Sequence, residues 1–245
     1  MTNGPRIAVI TAVLPQSTDY LDSAYESLRR QDLLDWEWSI VFDGTGGAVS
    51  DRIATDSRVL INHNPERRGV AHGRNSAILA SSAPILRNLD ADDALVEVDA
   101  LSTVVHALSD ESVGFHLSAT VDREEDGSDS VFAAIRTEPG RMRRGYWADE
   151  WITRRYLDVR ANTLAVRRDL YWYVGGYRAM QFAEDVSLIA ALNEVSEGWY
   201  EPRALSMYRK WPGQTSAGTR PWEFEASYTD ITRAILSARR HLQIR

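Results

Sequence analysis

The chain has no cysteine, a single lysine and no apolar run long enough to cross a bilayer. Without cysteine there is no disulfide scaffold, no thiolate nucleophile and no cysteine-built zinc or iron–sulfur site. Lys210 is the sole lysine among 28 basic residues, which leaves no Walker lysine and almost no scope for Schiff-base chemistry. The basic excess that a nucleic-acid surface needs is also missing, since 35 acidic residues bring the formal net charge to −7. Met1–Arg6 is polar, and the first apolar stretch is too short for a secretion leader, so the expectation is a cytoplasmic protein with no integral membrane contact. What remains is ordinary globular material: 245 residues, 44% hydrophobic and 26% charged, the size of one large domain.

The first half reads as alternating strand and helix. Ile7–Leu14 is a continuous β-rich run ended by Pro15, as in a strand covered on both faces. Leu21, Ala24, Tyr25 and Leu28 follow helical spacing. Strands are expected at Trp38–Phe42, Val59–Asn62 and Ile85–Leu89, with helices over Val70–Ser81 and around Leu101–Leu108. That order predicts an α/β fold with a mostly parallel central sheet in one compact domain over 1–245. The second half is less regular. Strands are expected at Val113–Val121, Val131–Ile135, Asn162–Val166 and Leu205–Tyr208, and helices at Ala183–Ser196 and Trp222–Leu242. The last helix carries an apolar stripe that suits packing on its own domain or a homodimer contact.

Two groups of carboxylates carry the chemistry. Asp90-Ala-Asp92-Asp93 follows an apolar strand at its carboxyl end, where open α/β sheets bind ligands. Like charges crowded this closely call for a cation, and hard oxygen ligands suit Mg²⁺ or Mn²⁺ completed by substrate phosphates. A solvated acidic turn is the alternative. The second group is Glu184-Asp185 at a helix start. There Asp185 falls in register with Leu188, Ile189 and Leu192 and so toward the apolar side. It is either a general base held ionised by the helix dipole or a plain first-turn acid. Arg67–Asn75 adds glycines, guanidinium groups and a helix start, all useful against phosphate.

These pieces, in this order, resemble the family 2 glycosyltransferases, an inverting group with the nucleotide-sugar-binding GT-A fold. The likeness runs from Ile7 to Ser216. It includes Asp43-Gly44, Gly69-Val-Ala-His-Gly-Arg-Asn75, Asp90-Ala-Asp-Asp93, Val174-Gly-Gly-Tyr177, Glu184-Asp185, Tyr208-Arg209 and Gly213-Gln-Thr-Ser216. The resemblance implies that about 1–110 binds the nucleotide sugar. It implies that about 111–221 holds the acceptor and the base, with 222–245 a closing helix. Val13, Leu14, Pro15 and Asp43 would hold the nucleotide base, Arg74 the base or phosphates, and Asp90 the ribose. Asp92, or its neighbour Asp93, would hold Mn²⁺ or Mg²⁺ on the diphosphate. Asp185 would be the catalytic base and Glu184 an acceptor contact. Two departures stand out. Phe42 replaces an acid before Gly44, and Lys210-Trp211 follows Tyr208-Arg209 where the family often has histidine. Lys210 is then a candidate diphosphate contact.

The resemblance implies transfer of a sugar from a nucleoside-diphosphate donor, UDP favoured, to a hydroxyl of a small-molecule or short glycan acceptor. Arg136–Tyr156, in the acceptor region, carries Trp147 and Trp151, whose rings could stack on a sugar or simply pack the core. A catalytically silent nucleotide-sugar- or glycan-binding module on the same fold is the alternative. A haloacid-dehalogenase-type phosphatase is disfavoured, because Ala94 stands where its motif wants Thr or Val and no acidic pair follows Lys210.

Overall fold

The apolar run at the start becomes β1 (Ile7–Val13), whose side chains alternate between two cores. Ile7, Val9 and Val13 face one side of the sheet and Ala8 and Ile10 the other, the period of two that a strand imposes. Thr11, the polar exception, is satisfied internally: its hydroxyl donates to Leu89 O at 2.7 Å and accepts from Trp38 Nε1 at 2.8 Å. The computed structural model describes residues 4–134, 137–154, 159–180 and 183–214, with 234–235, 237–238 and 241 near the C-terminus. The side chains of residues 15, 16, 151 and 152, and most of the closing helix expected over 222–245, lie outside the described residues.

The remaining strands are β2 (Trp36–Asp43), β3 (Val59–Asn64), β4 (Ile85–Asn88), β5 (Ala94–Leu95) and β6 (Val113–Arg123). They continue with β7 (Asp129–Phe132), β8 (Gly140–Met142), β9 (Ala165–Arg167) and β10 (Glu197–Arg209). The helices are α1 (Leu21–Arg29), α2 (Asp51–Ala54), α3 (Val70–Ala80), α4 (Ala100–Ala107), α5 (Tyr146–Arg154), α6 (Arg168–Tyr173) and α7 (Glu184–Val195).

The sheet runs β3-β2-β1-β4-β9-β6-β10-β5, with β7 on β6 and β8 on β10. β3, β2, β1 and β4 are parallel neighbours, and so are β6 and β10. β9 is antiparallel to both β4 and β6 and joins the two parallel groups. The sheet is therefore mixed, and parallel over most of its paired length. Helices α1 and α4 cover one face through Leu21, Ala24, Leu28, Leu101 and Val104. Helices α3, α5 and α7 cover the other through Ala77, Ile78, Trp147, Leu188 and Leu192. This is the three-layer α/β arrangement expected.

Several elements differ from the sequence reading, among them the short α2, α6, β5 and β8, which it did not expect. β10 is a 13-residue strand rather than a short one. Its pairing with β6 shifts register between Glu201 and Ala204, so exposed Pro202 sits at a bulge, where its missing N–H costs no ladder bond. Ala161–Thr163 is a 3-10 turn, and the strand expected from Asn162 begins only at Ala165. The Arg- and aromatic-rich stretch without a clean period holds α5. Among the described residues no helix is long and apolar enough to cross a membrane.

Candidate active site

Asp90 lies just beyond the carboxyl end of β4, in the loop that leads to β5. Helix α3 brings Arg74 to it, and two glycines make that possible. Gly69 caps α3 at φ 91°, a left-handed geometry in which side-chain-bearing residues are strained. Gly73 lets the helix lie against β1, for a Cβ there would stand 2.8 Å from Ala12 Cβ. Asp43, at the end of β2 and 2% exposed, fixes the loop before α3. It accepts from Arg68 N at 2.9 Å, Gly69 N at 2.7 Å and Asn64 Nδ2 at 3.0 Å. Its carboxylate thus organises the loop, where the sequence reading gave it to the nucleotide base.

Arg74, only 5% exposed, ties the two acidic groups together. Its Nη2 reaches Asp90 Oδ1 at 2.6 Å and its Nη1 reaches Glu184 Oε1 at 3.1 Å. Burial opposes its charge, yet Asp90, Tyr177 and Glu184 hold the guanidinium firmly protonated. Tyr177 lies beneath it, ring centroid 5.2 Å from the guanidinium carbon. The Gly175-Gly176 turn is docked on Asn75 of α3, whose Nδ2 donates to Tyr177 O at 2.9 Å. Asn88 on β4 donates to the Tyr177 hydroxyl. Residues of α3, of the carboxyl end of β4 and the loop beyond it, and of the start of α7 thereby meet at one place.

The two acids of α7 are arranged differently from the sequence expectation. Glu184 is the buried one, 8% exposed and paired to Arg74, so it faces inward and is not free to meet an acceptor. Burial and the neighbouring Asp185 charge push its carboxyl up to about 7, partly offset by Arg74. Asp185 is half-buried; its Oδ1 accepts from Val186 N at 2.7 Å, and no other described residue donates to Oδ2. Burial raises its pKa, and Arg74 works against that rise. Ala183, just before the helix, adopts φ 59°, the one left-handed non-glycine among the described residues.

The Asp92/Asp93 ambiguity resolves sharply. Asp93 is 0% exposed, with Oδ1 accepting from Arg209 N at 3.0 Å and Oδ2 from Asn162 Nδ2 at 2.6 Å. Burial, then Asp90 and Asp92, drive its pKa well up. Both oxygens are engaged inside the fold, which corrects its assignment as a metal ligand. Behind it Arg87, also buried, donates to Asn162 O at 2.6 Å and Ser206 Oγ at 2.6 Å. Burial lowers Arg87 to about 10 despite Asp93 and Asp90. Asp92 is half-buried; Oδ2 accepts from Trp211 Nε1 at 2.7 Å, and no other described residue donates to Oδ1. Burial raises its pKa, with the Asp90 charge adding to the rise.

A divalent cation fits this geometry in part. The described residues contain no group of three His, Asp or Glu placed to hold an ion, so the described carboxylates and imidazoles alone would not enclose one. The Oδ1 of Asp92, to which no other described residue donates, lies beside Asp90, and their charges, only partly offset, match a hard cation whose shell a diphosphate would complete.

Other expectations are corrected. Trp147 is 0% exposed, its ring 5.7 Å from that of Phe115 and its backbone N–H donating to Asn193 Oδ1, so it packs the core and cannot stack on an acceptor. Lys210 points to Glu124 at 2.6 Å and Asp122 at 3.3 Å, which removes its amine from the carboxylates of the β4–β5 loop. Val13 is buried, so only its backbone could meet a nucleotide; Leu14 is half-buried at the mouth of the following 3-10 turn. The side chains of Pro15 and Trp151 lie outside the described residues. Sequence reasoning missed Trp211, Asn88, Asn162 and the positioning part of Tyr177; only the Gly-Gly-Tyr turn left a signal in the chain.

Comparison with known proteins places this geometry. Residues 9–166 match the family described as Glycosyl transferase family 2. No curated protein matches the sequence. Among solved structures, S. aureus TarS 1–349 in complex with UDP-GlcNAc superposes with a TM-score of 0.67 at 16% identity, over 98% of this chain and 73% of that one. The mannosyltransferase PcManGT from Pyrobaculum calidifontis, in complex with GDP-Man and Mn²⁺, gives 0.59 at 16% identity, over 97% of this chain and 65% of that one. At such identities the likeness is one of fold, which is GT-A-like. The family match spans more than half of the sequence, and the chain belongs to glycosyl transferase family 2.

Proposed function

We propose that the chain is an inverting glycosyltransferase that moves a sugar from a nucleoside-diphosphate donor to a hydroxyl of a small-molecule or short glycan acceptor. The observation that carries this reading is Arg74. It brings Asp90, beyond β4, and Glu184, on α7, into one site although the two lie far apart in sequence. A donor-side carboxylate group and a base-side carboxylate group are what a single displacement needs. Asp185, to whose Oδ2 no other described residue donates, takes the proton of the attacking acceptor hydroxyl, and such a base contributes about 10²–10⁴ in rate. A single displacement at the anomeric carbon inverts it. Asp92, beside Asp90, would hold Mn²⁺ or Mg²⁺, which when bound supplies Lewis-acid neutralisation of the leaving diphosphate. Glu184 and Arg74 hold Asp185 and Asp90 in fixed relation. Uridine is the favoured base, supported by the likeness to TarS with UDP-GlcNAc; GDP-Man in PcManGT keeps guanosine in the test set.

The test is a donor panel with Mn²⁺ or Mg²⁺, scored for nucleoside-diphosphate release with candidate acceptors, for the wild type and Asp185→Asn. The variant is expected to lose transfer by about 10² or more while binding donor normally. Near-normal turnover in Asp185→Asn would refute the base. Donor binding without release across the whole panel would favour the silent binding module.

A further inference from the structure

We propose that Trp211 is a positioning residue for Asp92, fixing which oxygen of that carboxylate is left for a divalent cation. The inference rests on the metal reading above and adds a residue to it. The indole Nε1 donates to Asp92 Oδ2 at 2.7 Å. Indole nitrogen is a donor only, so Trp211 cannot itself ligate a cation and acts by orienting the carboxylate. The ring is held for that task. Its centroid lies 5.2 Å from that of Tyr20, and the guanidinium of Arg209 sits 4.9 Å over the same tyrosine.

The turn that carries Trp211 is closed on itself. Gln214 N donates to Trp211 O at 3.2 Å, Trp211 N donates to Gln214 Oε1 at 3.3 Å, and Gln214 Nε2 donates to Arg209 O. Arg209 ties the same segment to the acidic loop from the other side: its N–H reaches Asp93 Oδ1 and its Nε reaches Asp92 O at 2.9 Å. The end of β10 and the loop after β4 are therefore one hydrogen-bonded unit. Within it Lys210 and Trp211 go separate ways, the amine to Glu124 and Asp122 and the indole to Asp92. The sequence reading made Lys210 a candidate diphosphate contact; the geometry turns its amine to Glu124 and Asp122 and sets the indole of the next residue on Asp92.

The experiment is calorimetric titration of MnCl₂ into protein saturated with UDP, for wild type, Trp211→Phe and Lys210→Ala. Phenylalanine keeps a ring against Tyr20 and deletes only the N–H. Loss of such a supporting hydrogen bond is expected to weaken Mn²⁺ by about 10-fold or more, with Lys210→Ala unchanged. In parallel, the Trp211 indole ¹⁵N–H resonance, assigned through bonds in the wild type, is followed as MgCl₂ is added with UDP; it is expected to shift. Equal Mn²⁺ affinity in Trp211→Phe and wild type, an unmoved resonance, or an equal loss in Lys210→Ala overturns the proposal. A wild type that takes up no Mn²⁺ with UDP or GDP overturns the metal reading, and this proposal with it.

Discussion

Glu184 should make the folded protein less stable as pH rises, and a single amide substitution should abolish the effect. Its carboxyl stands at about 7 in the folded protein against an ordinary value of 4.5, raised by burial and by Asp185. Below about pH 4.5 both folded and unfolded chains are protonated there, and Glu184 contributes no difference. Between 4.5 and 7 the unfolded chain ionises freely while the folded one resists, so stability falls as pH rises and then levels off. At about 1.4 kcal/mol per pKa unit, the loss across that window is about 3 kcal/mol. Glu184→Gln imitates the protonated form at every pH. Urea unfolding of both proteins from pH 4.5 to 8 should give curves that agree at the acid end. They should diverge until the variant is about 3 kcal/mol more stable at pH 8. The opposing force is the Arg74 ion pair, which glutamine weakens. A variant less stable than the wild type at pH 8 would show that the pair outweighs the burial cost, and would refute the reasoning.

Three further outcomes can be measured by urea or thermal unfolding. Gly73→Ala places a methyl 2.8 Å from Ala12 Cβ and should cost about 1–3 kcal/mol, as overpacking of a close helix–strand contact does; an unchanged midpoint would mean that α3 can move off β1 freely. Ala183→Gly releases the left-handed strain at φ 59° and should stabilise by up to about 1 kcal/mol, seen as a higher Tm. Trp147→Ala should cost about 3–5 kcal/mol of stability; a fully stable variant defective only in acceptor KM would return Trp147 to the acceptor site.

What the sequence made legible follows from how local each signal is. β1 declared itself because a strand buried on both faces needs an unbroken apolar run, and Ile7–Val13 is one. The carboxylates after β4 were equally plain as a cluster. Which of them points outward was not, because that depends on Asn162 and Arg209, 69 and 116 residues beyond Asp93. The same holds for Trp147. An aromatic in an Arg-rich stretch with no clean period can stack on a ligand or pack the core, and local pattern does not choose. Its burial comes from Phe115 and Asn193, neither of which is near it in the chain. Glu184 and Asp185 were found together, but the inward member was decided by Arg74 on α3, 110 residues away. Lys210 is a candidate through its place after Tyr208-Arg209, a property of the motif, whereas its acidic partners on and just after β6 are a property of topology.

Arg74 is shared, and sharing has a thermodynamic consequence. One guanidinium serves Asp90, the carboxylate proposed for the donor side, and Glu184, beside the proposed base Asp185. Any ligand that engages Asp90 changes how much of that positive charge is left to Glu184 and Asp185, and so alters their affinity for protons. Reciprocity then requires that the same ligand bind with an affinity that changes as those two acids titrate. On the proposed roles, donor occupancy and the readiness of the base become one equilibrium viewed from two ends, with the exchange carried by a single buried side chain.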